Sequence, residues 1–184
     1  MKKVIGLVLL GLVSSSFAVV GDIQQAVEQD SRVYCQSTGG TVIRMVAQFD
    51  THSGFVNGVT KEFCKYKNHG NLAFVGLDTL STAPTLAATY TMKLVIDKTK
   101  PLPVRPYANP AMNVCSDLHG TEVAFSVLDG GFADKTGQAD ICVFGDGSSI
   151  SGWTMVYAAD GSRQDIKQFI RSSALDIDIP NVQK

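Results

Sequence analysis

Several features are scarce in this chain of 184 residues, and each scarcity narrows what it can do. Neither sign of charge dominates: 16 Lys and Arg stand against 17 Asp and Glu, with no basic cluster able to neutralise a row of phosphates. Nucleic acid is therefore not an expected partner. Only three histidines occur, His52, His69 and His119, and no two have the i, i+4 spacing of metal ligands on a helix. A Gly-x-Ser-x-Gly elbow, a P-loop and a dinucleotide fingerprint are all missing. After the first twenty residues, no run is long and apolar enough to span a bilayer. No cofactor and no metal site is expected, and the chain reads as non-enzymatic.

The N-terminus does carry a signal. Lys2 and Lys3 precede the uncharged apolar run Val4 to Val13, and Ser16-Phe17-Ala18 offers small residues at the positions a signal peptidase reads. A signal peptide over 1–18 is expected. Its removal leaves 166 of the 184 residues, and loss of the two lysines moves the formal charge from −1 to −3. Export then places the chain where disulfides persist. The four cysteines allow three connectivities. Cys35–Cys64 with Cys115–Cys142 is preferred, because each pair closes a loop of similar size within one half. In the chain-entropy model, loops of this size each contribute roughly 3–4 kcal/mol. Zinc would want closer ligand pairs than these.

The two halves share a skeleton: Cys35/Cys115, Gly40/Gly120, Thr41/Thr121, Cys64/Cys142, Tyr66/Phe144 and Asn68/Asp146. In the second half, Asn109 suits a helix N-cap and Pro110 the first helical position. The helix carries Cys115 and stops near His119-Gly120, where glycine fits a left-handed cap. In the first half, a longer helix from Asp22 stops at Gly39-Gly40. Strand-like segments follow at Thr41–Phe49, Val59–Lys67 and Leu72–Leu77, and at Thr121–Leu128, Ala139–Phe144 and Trp153–Ala158. The expected fold class is thus α+β: two repeats, each a helix packed on a three-stranded antiparallel sheet and stapled by one disulfide. The expected division is 1–18 signal peptide, 19–80 first repeat, 81–108 connecting helix and Pro-rich linker, 109–160 second repeat, and 161–184 C-terminal tail. Within the connection, Pro84 to Leu94 fits a short helix. The tail fits either a partner-binding segment or a strap across its own domain. On the first reading, removing 161–184 weakens assembly and leaves both units folded.

The second half resembles a small bacterial exported domain of unknown function that bears the label hemolysin. Asn109-Pro110-Ala111, Cys115, Gly120, Cys142, Phe144, Asp146-Gly147-Ser148 and Trp153 stand in the places of its pattern, over about fifty residues. The first half matches through Tyr34-Cys35, Gly39-Gly40, Cys64 and Tyr66. Gly145, His119 and Ile150 depart from the pattern, and its last cysteine has no counterpart near Asp160. No amphipathic basic helix or long apolar hairpin is present to support lysis. Paired copies behind a signal peptide are also similar in architecture to accessory proteins of outer-membrane cores of Dot/Icm-like type IV secretion systems. The resemblance implies other envelope proteins as partners, association with an outer-membrane assembly, and a periplasmic or outer-membrane location.

Chemistry has weaker candidates. Asp129, Asp134, Asp140 and Asp146 surround glycines but lack the dense ligand alternation of a calcium loop, and read as turns. Trp153 reads as a core residue more readily than as a binding platform. Three functions follow. The first is a non-enzymatic interaction or scaffold protein of the envelope, in the form of an accessory subunit of an outer-membrane secretion complex. The others are a soluble secreted binder or inhibitor of a foreign protein, found extracellularly, and a hydrolase built around His119 and nearby aspartates.

Overall fold

Six strands close on themselves, and helices pack around the outside. In the computed structural model, residues 16–68, 71–105, 109–127 and 138–183 are described. The core of the expected signal peptide, His69, Asp129 and Asp134 lie outside them. The elements are α1 (Ser16–Ser37), β1 (Thr41–Thr51), β2 (Gly54–Asn68), β3 (Asn71–Gly76), α2 (Leu86–Lys93), α3 (Pro110–Asp117), β4 (Thr121–Val127), β5 (Gln138–Val143), β6 (Ser149–Ser151), α4 (Gly152–Ala159) and α5 (Gln164–Phe169). All strand pairings are antiparallel, in the closed order β1-β2-β3-β6-β5-β4.

This closure overturns the expected fold class of two helix-on-sheet repeats. The physical reason lies in the strands, which are apolar on both faces. Met45, Ala47, Phe63, Phe74, Phe125, Ala139 and Ile141 point to one side and form a core of their own, with Phe63 and Phe125 meeting edge to face at 5.3 Å. Cys64, Tyr66, Val75, Cys142, Phe144 and Ile150 belong to the other side, under the helices. A helix on a three-stranded sheet covers only one face. Rolling both sheets into one barrel buries the second.

The barrel closes about a pseudo-twofold axis. Cys35 and Cys115 stand 80 positions apart, and so do Val46 and Ser126, which face each other in the β1–β4 ladder. On the opposite side Val75 pairs with Ile150. Each of those two is also the cross-strand neighbour of its own half's middle-strand cysteine, Cys64 or Cys142. Like strand therefore pairs with like strand at both seams.

The bridges are Cys35–Cys64 and Cys115–Cys142, each tying a helix to a middle strand. All four cysteines are fully buried. Gly40 and Gly120 both serve these bridges, and Gly120 is not the left-handed cap read from the sequence. A Cβ on Gly40 would overlap Cys64 Sγ and lie 2.9 Å from the Cys35 carbonyl, and one on Gly120 would overlap Cys142 Sγ. At the two helix stops the left-handed residues are Gly39 at φ 81° and, in the equivalent place, His119 at φ 62°.

Two further expectations change. Trp153–Ala158 is not a strand: β6 spans only Ser149–Ser151, and Gly152 starts α4. Its buried Thr154, Met155, Val156, Ala158 and Ala159 need a helical face against α2, α3 and α5. Trp153 stacks with Tyr157 at 5.5 Å on this helix and is packed against the core. The tail is a strap. Phe169 stacks on Tyr66 at 4.4 Å, Arg171 lies over the Tyr34 ring at 4.1 Å, and Ile166 and Val182 are buried. Lys167 donates to the Met92 and Leu94 carbonyls at the end of α2, where cations suit the helix dipole. Burial lowers its pKa from the ordinary lysine value.

Candidate functional site

A cleft of about 670 Å³ lies between α1 and the sheet. It begins where strands lose their neighbours. β3 accompanies β2 only as far as the Phe63–Gly76 pair, and β4 leaves β1 at Gln48, while the β1–β2 hairpin continues to Thr51 and Gly54. Strand alternation sends Arg44, Thr60 and Glu62 to the outer face, and all three line the cleft. Val27, Glu28, Ser31 and Arg32 of α1 form one wall, and Leu77, Asp78, Asp146 and Gly147 the other.

The far wall is a knot of hydroxyls and carboxylates. Asp78 Oδ1 accepts from the Ser149 N–H at 2.9 Å, and Thr79 Oγ1 donates to the Ser149 carbonyl at 2.8 Å. Lys61 pairs with Asp78 at 2.8 Å and also donates to the Gly147 carbonyl. Asp146 accepts from the N–H of Leu86 at 2.7 Å and of Ser148 at 3.0 Å, while Ser148 Oγ takes the Ala87 N–H. Burial would raise the Asp146 pKa, yet these bonds from Ser148 and Leu86 outweigh it and hold it below the usual carboxylate range. The Asp-Gly-Ser turn thereby ties β5 and β6 to the start of α2, beside the Thr85 cap.

The near wall is less satisfied. Arg32 meets Glu28 at 3.2 Å and Glu62 at 2.9 Å. The second contact is an ion pair from Arg32 Nε to Glu62 Oε2, an oxygen buried from solvent. Ser31 is 1% exposed, and its Oγ has no hydrogen-bond partner among the described residues. Leaving such a group unpaired costs about 1–3 kcal/mol. Arg44 is exposed in the cleft and has no ion pair among the described residues.

The residues singled out from sequence take other places. Asn109 caps α3, accepting from the Ala111 N–H at 3.0 Å, and its Nδ2 donates to Asp140 at 3.0 Å. Pro110 is the first residue of α3. Phe144 packs against Tyr90 with ring centres 5.1 Å apart. The Tyr66 hydroxyl meets Thr38 at 2.9 Å, and burial raises its pKa from the ordinary tyrosine value. His52 is exposed at the tip of the β1–β2 hairpin, and neither it nor His119 has a side-chain partner among the described residues. The hydrolase expectation needs His119 gathered with aspartates, and the cleft does not include it. Sequence reading missed Ser31, Arg32, Arg44, Lys61, Glu62 and Asp78, since only the fold brings α1 and β2 together there. The one signal was the length of the polar strand running on from the hairpin turn.

Among the described residues, no group of three His, Cys, Asp or Glu side chains could hold a metal ion. No helix among them is long and apolar enough to cross a membrane. No protein-family model, no curated protein and no solved structure matches the chain.

Proposed function

We propose that this protein is an exported, non-enzymatic interaction protein of the cell envelope, acting as an accessory subunit that holds a partner in an outer-membrane secretion assembly. The observation carrying this reading is the hairpin arm. Where β1 and β2 run past their neighbours, Phe49, Val56 and Val59 are 47%, 53% and 66% exposed. Phe49 and Val56 form a cross-strand pair, and the Phe49 ring covers Gly58. Apolar side chains on a strand with an unpaired edge favour association with another chain. The two buried disulfides support an oxidising compartment, and hence export.

The test compares native protein size in gently solubilised envelopes with protein in the culture fluid. Co-migration with a large envelope complex, lost in a Phe49→Thr, Val56→Thr, Val59→Thr variant that keeps its circular dichroism, is the expected result. A small species found mainly outside the cell would overturn it in favour of a secreted binder.

A further inference from the structure

The pseudo-twofold supplies an internal comparison for the cleft. Glu62 stands two residues before Cys64, as Asp140 stands two before Cys142. In each half a group from the helix side answers that carboxylate. Arg32 of α1 pairs with Glu62 at 2.9 Å, and Asn109, the cap of α3, donates to Asp140 at 3.0 Å. Across the hairpin ladders, Arg44 stands opposite Glu62 and Ala124 stands opposite Asp140. The second half thus holds its carboxylate with only a methyl group in the facing place. Holding Glu62 does not require an arginine at position 44.

The other charges of the cleft are settled. Arg32 also meets Glu28 at 3.2 Å, and Asp78 takes Lys61 at 2.8 Å and the Ser149 N–H at 2.9 Å. Asp146 accepts from the N–H groups of Leu86 and Ser148. Arg44 is left, exposed in the cleft and with no ion pair among the described residues. Its guanidinium is a rigid fork of donors that matches a carboxylate. Backbone groups are also open there. The Glu62 carbonyl accepts from the Leu77 N–H at 3.1 Å, so the backbone of Glu62 faces away from β1. Alternation along the strand points the N–H and C=O of Thr60 the same way. β3 has already ended, and no strand among the described residues covers that edge. A strand added there lies two strand spacings from β1, about 10 Å, a gap that Arg44 and a facing Glu side chain cover between them.

We propose that this cleft receives an extended, acidic segment of a partner protein, which pairs with the β2 edge at Thr60 and sends a Glu or Asp side chain to Arg44. Arg44, Thr60 and Glu62 all line the cleft, and a residue placed opposite Thr60 presents its side chain on that same face. A second copy of this chain does not fit the site edge to edge, since residues Gly54 to Thr60 bring no carboxylate to Arg44. The inference rests on the interaction reading above and gives that partner a chemistry: an extended strand with a carboxylate near its centre.

The probe is a set of labelled seven-residue peptides of alternating Thr and Gln with a central Glu, Gln or Lys, titrated against the whole oxidised protein. The Glu peptide is expected to bind at least tenfold more tightly than the Lys peptide. Arg44→Gln should abolish that preference and, because the side chain is exposed, leave Tm unchanged. Two further Glu peptides, N-methylated on one or the other alternate set of amides, test the strand pairing without altering the protein. One should lose binding and the other keep it, since only one set faces β2. Equal affinity for Glu and Lys peptides, a preference surviving Arg44→Gln, or no binding at millimolar peptide would each overturn the proposal. So would equal binding of the two methylated peptides, or a protein dimer that Arg44→Gln dissociates. If Arg44→Gln leaves the protein in its envelope complex while the hairpin-arm variant is released, the cleft's occupant is wrong and the interaction reading stands.

Discussion

Gly120 lies directly against the sulfur of Cys142, so close that a single methyl group at Gly120 has nowhere to go. Gly40 stands in the same relation to Cys64. The glycine five residues after each helix cysteine is therefore part of the bridge.

A coupling between the two follows. Gly120→Ala should destabilise by about 1–3 kcal/mol, the usual cost of overpacking a tight interior. With Cys115 and Cys142 both replaced by Ala, the same substitution should cost much less, because the displaced sulfur is gone. Urea midpoints of the four proteins in this double-mutant cycle give the answer. An unchanged cost would mean that the bridge is not what excludes the methyl group.

His119 offers the opposite manipulation. It holds a left-handed backbone at φ 62°, where its counterpart in the first half is Gly39 at φ 81°. His119→Gly should raise stability by about 0.5–1 kcal/mol, since it relieves a conformation that side chains resist. Gly39→Ala should lower it by a similar amount, and nothing near Gly39 would obstruct the added Cβ. Thermal melts of the two variants should therefore move in opposite directions.

Acid should weaken the strap. Arg163 is 4% exposed, and its guanidinium donates to both oxygens of Asp165. The Arg163 bonds hold the Asp165 carboxyl below its ordinary pKa against the effect of burial. A depressed carboxyl pKa stabilises fully above the unfolded value, near 4, and that stabilisation is lost as pH falls through the folded value. At pH 7 Asp165→Asn should cost about 2–3 kcal/mol, leaving a buried cation half answered. At pH 3 the cost should be smaller. Equal costs at both pH values would show that charge is not the source.

Removal of residues 161–184 should abolish cooperative unfolding. The segment contributes Ile166 and Val182 to the core and stacks Phe169 on Tyr66. Losing two buried aliphatic side chains forfeits about 3–6 kcal/mol, comparable with the whole stability of many domains. A calorimetric scan of the truncated protein that kept a single sharp transition near the full-length Tm would refute this.

What could be read from the sequence was local. Cysteine spacing pointed to Cys35–Cys64 and Cys115–Cys142, Asn109-Pro110 marked the start of α3, and the hairpins showed in the alternation around Val123, Phe125 and Val127. Barrel closure could not be read, because the β1–β4 and β3–β6 seams join strands with no turn between them. The signal it did leave was apolar character on both strand faces, as with Phe63 beside Cys64. Trp153–Ala158 misled because a short, wholly apolar run fits a buried strand or a buried helix equally well. The cleft escaped notice for a related reason: Ser31 and Glu62 are ordinary surface residue types until α1 is laid over β2.

The like-with-like seams also bear on how such a molecule can change. Two separate short chains meeting about a true axis would have to display every outer feature twice. Fusion of two copies makes their pairing obligatory and their ratio fixed, so only the seam residues remain bound to mutual fit. The outer surfaces are free to diverge, and they have: α1 runs for 22 residues where α3 runs for 8. One symmetric foundation thus carries two outer faces that no longer match.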